Sequence, residues 1–456
     1  MPEPTERQGI RVQSERTVLA AVRLPDSVYD RADPFGELRS LAEQAGAVVV
    51  GELTQARERP EPAMFMGSGK ADELARLCEA LDASTIIFDH GLSPSQIGNI
   101  EERTKRKVLD RSELILDIFA SRATTHEAKL QVELAQLEYT YPRLRAMWSH
   151  LERIVGSGGI AGIGTRGPGE QQLEIDRRLV QNRKLELKRE LRRIQERKRR
   201  EVRERTRRSH TVGIVGYTNA GKSTLFNALT SGGAYADDRV FATLMTRTRE
   251  WDLGEGVRTL LSDTVGFVRD LPHNLIASFR ATLEEATHAD LLLIVLDVTD
   301  PAADLHLDTV HQTLDDLFAD VREDEAHAGR TWHEPPRLLL LNKTDRLGDN
   351  RELLSWRARH PDAIAICAIR PESDPGIREL TDRVREAVRA GSLLVDLELP
   401  SGDGRTLALI ENSLNVLSRD YSGDRTTLRV RAEAGQVEQL RAMGVTATRV
   451  EPPAEG

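Results

Sequence analysis

The sequence is poor in cysteine, in aromatic residues and in long apolar runs. Its 456 residues include only Cys78 and Cys367, so neither a disulfide framework nor a zinc site is expected. Aromatic residues make up 4% of the chain, which argues against base-stacking platforms for single strands. The longest apolar run, 291–296, is too short to span a bilayer, and no apolar signal core follows Met1. These absences predict a cytoplasmic protein without membrane insertion, and the length of 456 residues predicts about three domains.

A glycine-rich loop follows an apolar run in the middle of the chain. The run 211–215 leads into Gly-Tyr-Thr-Asn-Ala-Gly-Lys-Ser, and 224–229 has a helical pattern. Backbone N–H groups of such a loop close around phosphates, while its lysine reaches the β- and γ-phosphates and its hydroxyl ligates Mg²⁺. A chance glycine-rich turn is the alternative. The predicted phosphate-binding residues are Gly216, Tyr217, Thr218, Asn219, Ala220, Gly221, Lys222, Ser223 and Thr224.

Two further motifs predict the segments that respond to the γ-phosphate. The first is Phe-Ala-Thr-Leu at 241–244, where Thr243 is expected to complete the Mg²⁺ shell only when the γ-phosphate is bound, a solvated loop threonine being the alternative. In the second, which ends the apolar strand 259–262, Asp263 can hold Mg²⁺ through water and the Gly266 N–H can approach the γ-phosphate. The predicted nucleotide contacts here are Phe241, Ala242, Thr243, Asp263, Thr264, Val265 and Gly266. The predicted metal ligands are Ser223, Thr243 and, through water, Asp263.

A third motif identifies the base as guanine. Asn342-Lys343-Thr-Asp345 ends a second apolar strand, 337–341. The acceptor-only carboxylate of Asp345 can accept hydrogen bonds from both N1–H and N2–H₂ of guanine, a donor pair that adenine lacks. We therefore expect GTP and GDP as substrate and product, with Mg²⁺ as the metal, and we expect ATP to be rejected.

The residue after Gly266 is Phe267, where Ras-type GTPases carry the glutamine that orients the attacking water. An apolar ring cannot orient water, so no catalytic residue is assigned, and we expect slow hydrolysis by the free protein with stimulation by a partner. Arg239, Arg247 and Arg269 are candidate internal substitutes, although each is more typical of a solvated surface arginine.

The stretch 263–285 resembles the HflX family of ribosome-associated GTPases, from Asp-Thr-Val-Gly-Phe-Val-Arg-Asp-Leu-Pro to Ala-Thr-Leu-Glu-Glu. The segments 110–119, 131–137 and 164–174 also resemble signature stretches of that family, and the likeness covers residues 15–390. The resemblance implies binding to the large ribosomal subunit and its rRNA, with the N-terminal region near the peptidyl-transferase centre. It also implies separation or rescue of stalled ribosomes.

The chain departs from the family pattern in two places. Family members usually have Asp-Pro after the switch threonine and leucine, where this chain has Met245-Thr246. The guanine-side loop, usually Ser-Ala, is Cys367-Ala368 here. Because a backbone N–H normally makes that contact, the resemblance still implies guanine binding by Cys367 and Ala368.

Positive charge is concentrated in residues 176–208. This segment has 16 Lys and Arg against 6 Asp and Glu, although the net charge of the chain is −9. A solvated helix face with i,i+4 ion pairs is the ordinary interpretation. An excess of ten positive charges favours an anionic partner, and in a GTPase that partner is structured RNA. The predicted RNA contacts in this segment are Arg192, Arg193, Arg197, Arg199 and Arg200.

Two heptad stripes predict an antiparallel coiled-coil hairpin. Apolar residues step by 4 and 3 from Leu130 to Leu151, and they recur every seven residues from Leu173 to Ile194. Paired core helices are the alternative, but they leave the flanking charge unexplained. The connection 156–169 has seven glycines, which permit close backbone approach to a partner. Further RNA contacts are therefore predicted at Gly159, Gly162, Gly164, Arg166 and Gly167.

The predicted fold class is α/β, built from several domains. A disordered N-terminus, 1–15, precedes a small α/β domain at 16–125 with a mainly parallel sheet. The helical hairpin occupies 126–208 with its tip at 156–169, and a P-loop GTPase domain with a mostly parallel sheet occupies 209–391. In 392–456, the β-like runs 393–399 and 426–431 flank an amphipathic stretch, 405–417, and predict a small α+β domain.

Three functions remain open. The first is a GTP-hydrolysing switch that binds the large subunit and the whole ribosome and is a monomer off the ribosome. The second is a GTPase that assists large-subunit assembly and binds precursor particles. The third is an ATP-driven RNA-remodelling enzyme, which rests on Gly67-Ser-Gly69-Lys70, a poor match to a phosphate loop. Cosedimentation with mature or precursor particles would separate the first two.

Overall fold

The computed structural model describes residues 15–25, 29, 33–156, 168–230, 247–264, 266–269, 285–327, 329, 332–348 and 350–450; at 142–156 and 168–177 the description is of the backbone alone. The chain divides into two compact units. The first comprises residues 1–196, 239–244 and 268–280, and the second comprises 197–238, 245–267 and 281–456. The predictions for residues 1–14, for most of the glycine-rich tip, for Phe241 to Thr243 and for Val265 lie outside the described residues.

The N-terminal domain is built on four parallel strands in the order β2-β1-β3-β4. Every residue of β3 is buried, as expected for a parallel sheet covered on both faces. The predicted small α/β domain with a mainly parallel sheet is confirmed. Its elements are β1 (Arg16–Arg23), α1 (Gly36–Gln44), β2 (Val48–Ala56), α2 (Ser68–Ala80), β3 (Thr85–Phe88), α3 (Pro94–Thr104), β4 (Lys107–Asp110) and α4 (Arg111–Arg122).

Side-chain caps fix where two of these helices begin. At α3, Ser93 accepts from the Gln96 N–H while the Gln96 side chain accepts from the Ser93 N–H, and Pro94 takes the first helical position. At α4, Asp110 accepts from the Glu113 N–H at 2.9 Å. The end of β4 and the start of α4 are thereby joined at one buried carboxylate.

The stretch 67–70 does not form a phosphate loop. The Gly67 N–H donates to Oε1 of Gln55 at 2.9 Å, and Lys70 forms an ion pair with Glu73 at 2.9 Å. These contacts occupy the groups that a second nucleotide site would need for phosphates.

Two long helices form an antiparallel hairpin, α5 (His126–Gly156) and α6 (Pro168–Arg208). Leu130 and Leu134 pack against Leu187 and Leu191, with Leu137 and Ile194 beside them. Glu133 pairs with Arg183 at 2.7 Å and Glu138 with Lys188 at 2.7 Å, flanking the apolar seam. The predicted hairpin and its seam are thus present in the part of these helices whose side chains are described.

The predicted GTPase domain, 209–391, is built on a six-stranded sheet in the order β10-β9-β8-β5-β7-β6, in which only β6 is antiparallel to its neighbour. The predicted mostly parallel sheet is confirmed. Because carboxyl ends of parallel strands meet at one edge, the residues ending β5, β7, β8 and β9 converge there. The elements are β5 (Thr211–Gly216), α7 (Lys222–Leu229), β6 (Arg247–Asp252), β7 (Arg258–Asp263), β8 (Leu291–Asp297), α8 (Ala303–His327), β9 (Arg337–Asn342), α9 (Asn350–Arg359), β10 (Ile364–Ala365) and α10 (Pro375–Gly391).

The C-terminal domain has a βαββαβ order and an antiparallel sheet, β12-β13-β11-β14, as in ferredoxin-like folds. The predicted α+β class is confirmed. The amphipathic stretch 405–417 is helical only to Ser413, because Asn415 onward pairs with β13. The elements are β11 (Leu393–Pro400), α11 (Gly404–Ser413), β12 (Asn415–Ser422), β13 (Arg425–Ala432), α12 (Ala434–Ala442) and β14 (Thr446–Arg449). Within the described ranges, no helix is long and apolar enough to cross a membrane.

Candidate nucleotide site

The loop between β5 and α7 has the backbone geometry of a phosphate cradle. Asn219 and Gly221 both adopt positive φ angles, 60° and 96°. A Cβ atom at Gly221 would collide with the side-chain amide of Asn342, so only glycine fits this position. The loop therefore makes a tight turn between β5 and α7. The N–H groups at the N-terminus of α7 are suited to bind an anion.

Lys222 lies inside this loop. Its Nζ donates to the Tyr217 carbonyl at 2.6 Å, and the residue is 7% exposed. Burial lowers the pKa of Lys222 to about 8, against the opposing effect of Asp263. A Cβ atom at Gly266 would lie 2.9 Å from Nζ, so glycine is needed for the close approach of that segment. A phosphate bound here would supply the negative charge that a buried ammonium requires.

Oxygen groups from α7 and β7 meet beside the lysine. Ser223 Oγ donates to Oδ2 of Asp263 at 2.8 Å, and Asp263 is fully buried. Such oxygen ligands suit Mg²⁺, which commonly takes one or two protein ligands and completes its shell with phosphate and water oxygens. No group of three or more His, Cys, Asp and Glu that could hold a metal occurs among the described residues.

Phe267 closes onto the phosphate loop through its backbone. Its carbonyl accepts from the Thr218 N–H at 2.8 Å, and its own N–H donates to the Gly216 carbonyl at 3.1 Å. The residue is 2% exposed. An apolar ring at this position has no group that can orient water, as the sequence predicts.

Asn342 connects the phosphate loop to the guanine-side loop. Its Nδ2 donates to the Ala220 carbonyl at 2.8 Å, and its Oδ1 accepts from the Ala368 N–H at 3.2 Å. The next residue, Lys343, has a positive φ of 64° and pairs with Asp297 at 2.6 Å. The predicted guanine motif and the phosphate loop are therefore brought together at one sheet edge.

The side chain of Cys367 also contacts Asp345, the residue predicted to recognise guanine. Cys367 Sγ donates to Asp345 Oδ1 at 3.2 Å. Burial, together with Asp345, raises the pKa of this thiol, so it remains a protonated donor. Sequence reasoning assigned this position through its backbone and missed the side-chain contact. The thiol holds one oxygen of an exposed carboxylate in place.

Two other neighbours of the site were not identified from the sequence. Asp297 follows the longest apolar run, as Asp263 and Asn342 follow theirs, so its position at a strand end was a usable signal. His306, whose ring stacks on Tyr217 with centroids 3.8 Å apart, lies on α8 and carries no such signal.

Arg269 is not a solvated surface arginine, and that prediction is wrong for this residue. Its side chain is 12% exposed, and its Nη2 lies 3.1 Å from both oxygens of Asp89, in the same compact unit. Arg23 and Arg111 also pair with Asp89, at 3.1 and 2.8 Å. Burial opposes ionisation of Asp89, but the three arginines outweigh it and hold its pKa below the ordinary value. Arg247, by contrast, is exposed, and Arg239 lies outside the described residues.

The predicted RNA contacts of α6 are largely on its surface. Arg192, Arg193, Arg197 and Arg200 are exposed, and Arg199 is half-buried. Arg197 makes an i,i+4 pair with Glu201 at 3.7 Å, between two exposed side chains. The glycines and the arginine predicted at the tip, 159–167, lie outside the described residues.

The sheet order, the phosphate loop, the aspartate ending β7 and the asparagine-to-aspartate motif after β9 define a P-loop GTPase. Three family models match the chain along most of its length. They are described as GTP-binding GTPase N-terminal, over residues 32–120, GTP-binding GTPase Middle Region, over 122–207, and 50S ribosome-binding GTPase, over 211–343.

Curated relatives cover most of the chain. GTPase HflX of Escherichia coli K12 is 42% identical over 376 residues, 81% of this chain and 82% of the relative. GTPase HflX of Magnetococcus marinus is 41% identical over 418 residues, 91% of each chain. A crystal structure of a Sulfolobus solfataricus GTP-binding protein with GDP is 24% identical, covering 82% of this chain and 98% of that one, with a TM-score of 0.41, a likeness too weak to add to this. The chain belongs to the HflX GTPase family and hydrolyses GTP.

Proposed function

We propose that this protein is a cytoplasmic GTP-driven switch that binds the large ribosomal subunit, separates or rescues stalled ribosomes, and is released after hydrolysis. The observation that carries the proposal is the set of exposed arginines on α6, a helix that is followed in the sequence by a domain matching a model described as 50S ribosome-binding GTPase. Off the ribosome the protein is proposed to be a monomer.

In the proposed GTP complex, the phosphates lie on the loop 216–224 and the base lies between Asp345 and Cys367-Ala368. Lys222 exchanges its contact with the Tyr217 carbonyl for the β- and γ-phosphates. Ser223, Thr243 and, through water, Asp263 would hold Mg²⁺, which neutralises charge on the phosphate oxygens. The short contact between Ser223 and Asp263 supports this assignment.

Hydrolysis in this proposal depends on a group from the ribosome. Phe267 offers no polar atom for the attacking water, and the side chain of Arg269 is engaged with Asp89. A catalytic group supplied by a partner is worth about 10³–10⁵-fold in well-studied GTPases. The free protein would therefore retain GTP until it reaches its target.

In this proposal the basic segment 176–208 of α6, called the arm, supplies RNA affinity. Phosphate contacts by lysine and arginine provide affinity that does not depend on sequence and that weakens with salt. The exposed arginines Arg192, Arg193, Arg197 and Arg200, together with Arg199, lie on the helix surface where rRNA phosphates could reach them. The tip residues 159–167 would then approach the centre of the subunit.

Cosedimentation tests this function directly. The full-length protein, in a GTP analogue or in GDP, is layered with whole ribosomes, mature large subunits or precursor particles. We expect the GTP-analogue form to pellet with mature particles, and the GDP form and the Lys222→Ala variant to remain in the supernatant. Binding to precursor particles alone would favour the assembly role, and binding to no particle would contradict both.

A further inference from the structure

The last turns of α6 are attached to the GTPase domain through one buried carboxylate. Glu285 is 7% exposed, and Arg205 Nη1 lies 3.1–3.2 Å from both of its oxygens. The neighbouring Thr206 hydroxyl donates to the His288 carbonyl at 3.3 Å, and Val202 is buried one turn earlier. These residues all belong to the second compact unit.

The same carboxylate contacts the strand that carries Asp263. Ser262 Oγ donates to Glu285 Oε2 at 3.2 Å, and Ser262 immediately precedes Asp263 at the end of β7. Asp263 in turn accepts from Ser223 at the start of α7. Glu285 therefore contacts the residue directly before the proposed Mg²⁺ ligand.

A third connection reaches β6. Arg205 Nη1 donates to Thr248 Oγ1 at 2.9 Å, and Thr248 Oγ1 lies 2.9 Å from Ser262 Oγ, its partner across the sheet. Thr248 lies five positions after Thr243, the predicted switch threonine, and Glu285 ends the sequence stretch that begins at Asp263. The network thus includes one residue that follows the first predicted γ-phosphate-responsive segment in the sequence and one residue at the end of the second.

We propose that Glu285 is a positioning residue that couples α6 to the nucleotide site. Residues 197–208 of α6 belong to the same compact unit as Glu285, and these helical residues span roughly 18 Å, so a displacement of the helix at Arg197 to Arg200 is transmitted to Arg205. Because Arg205, Glu285 and Ser262 are joined by hydrogen bonds in a largely buried place, movement of Arg205 shifts Ser262 and hence Asp263. The coupling is reciprocal, so the nucleotide also changes how firmly the end of α6 is held.

The first test of this coupling rests on the proposed function. It measures GTP hydrolysis by the full-length protein with and without large ribosomal subunits. Couplings between sites typically change affinity by about 5–150-fold, and we expect Glu285→Gln and Arg205→Ala each to lower the stimulation factor by an amount in that range. The variants should still pellet with the subunits, because the exposed arginines of α6 are retained, but the difference in pelleting between the GTP-analogue form and the GDP form should become smaller. The double variant should lose no more than the more affected single variant, and Arg205→Lys, which keeps the charge, should recover part of the stimulation.

The matched control is an exposed ion pair on the same two strands. Arg258 and Glu250 are 3.1 Å apart, with side chains 57% and 58% exposed. Arg258→Ala and Glu250→Gln should leave the stimulation factor unchanged. Normal stimulation of Glu285→Gln, additive losses in the double variant, or an equal loss in the control variants would overturn the proposal.

A second measurement does not depend on the ribosome. Amide hydrogen exchange of residues 197–208 in the wild-type protein should differ between GDP and a GTP analogue, and folded Glu285→Gln, checked by its thermal melt, should lose that difference. Exchange that is independent of the nucleotide in the wild type would refute the coupling. If ribosomes fail to stimulate the wild type while this difference is present, the proposed function fails and the coupling stands.

Discussion

We propose that the base specificity of the site depends on the carboxylate of Asp345 and on its neighbour Cys367. Asp345 lies at the end of the motif that follows β9, and Cys367 donates to one of its oxygens. A thiol donor makes a weaker hydrogen bond than a hydroxyl but occupies the same direction. In the proposed GTP complex, the group that recognises the base would therefore be a carboxylate and not an amide or a hydroxyl.

The variant Asp345→Asn should therefore change which nucleotide binds. Hydrogen bonds to charged groups contribute about 1.5–3 kcal/mol each, so GTP affinity should fall by about tenfold or more. Xanthine carries a carbonyl oxygen where guanine carries its exocyclic amine, and the asparagine N–H₂ can donate to it, so affinity for xanthosine triphosphate should rise. Competition binding of the two nucleotides measures both, with the exposed Asp362→Asn as control. Normal GTP affinity of Asp345→Asn would refute the base assignment.

Asp89 is a buried carboxylate with three arginine partners in the first compact unit. Three arginines, Arg23, Arg111 and Arg269, pair with this one buried carboxylate. Removing one partner of a buried ion pair costs about 3–5 kcal/mol, and Asp89→Asn should lower the free energy of unfolding by this order. Denaturant unfolding checks this, with Asp72→Asn as control, because both side chains of the Asp72–Arg103 pair are more than 40% exposed and such pairs contribute at most about 1 kcal/mol.

The pH dependence of that stability has a definite sign. The arginines hold the pKa of Asp89 below 3.8, its ordinary value, in the folded protein. Their stabilisation is therefore present above that pH and is lost as the pH falls through the lowered folded value. The wild type should lose more stability between pH 5 and strong acid than Asp89→Asn does. Parallel curves for the two proteins would show that the carboxylate is not ionised in the fold.

Residues at strand ends could be predicted from the sequence, and residues recruited from elsewhere could not. Lys222, Asp263 and Asn342 follow apolar runs within recognisable spacings, so their convergence follows from parallel strands. Arg269 has no such pattern, and its burial depends on Asp89, which is distant in sequence. The contact between Arg269 and Asp89 therefore cannot be predicted from a single sequence.

At the scale of elements, α6 combines two different roles along one helix. Its middle exposes arginines, while its end turns Arg205 inward to Glu285. In the sequence, residues 176–208 form one basic segment. Their charges alone do not distinguish Arg205, which pairs with Glu285, from the arginines that face solvent. The apolar seam with α5 was predictable because it repeats with a fixed period.

Neutralising the exposed part of the arm should separate RNA binding from nucleotide binding. Replacing Arg192, Arg193, Arg197, Arg199 and Arg200 by glutamine should weaken ribosome binding and reduce the slope of its salt dependence by about one unit for each phosphate that is no longer neutralised. GTP affinity should be unchanged, because these residues are not part of the phosphate loop. Binding measured at several salt concentrations gives the slope. An unchanged slope would make the arm a solvated spacer.

At the scale of the whole molecule, the chain joins a P-loop GTPase domain to an N-terminal α/β domain, a helical hairpin and a ferredoxin-like domain. The GTPase domain holds the substrate motifs but places Phe267 where a water-orienting residue is needed. The fold class of each domain was predictable from alternating patterns and motif order. Their boundaries remain predictions, and the two compact units divide α6 between Glu196 and Arg197.

The central claim is that the ribosome completes an incomplete active site, and one measurement tests it most directly. GTP hydrolysis by the full-length protein is followed in low-salt Mg²⁺ buffer with and without purified large ribosomal subunits. Because a supplied catalytic group is worth about 10³–10⁵-fold, we predict a large rise in turnover that Lys222→Ala does not show. Equal rates with and without subunits would contradict the account, since the active site would then be complete in the free protein.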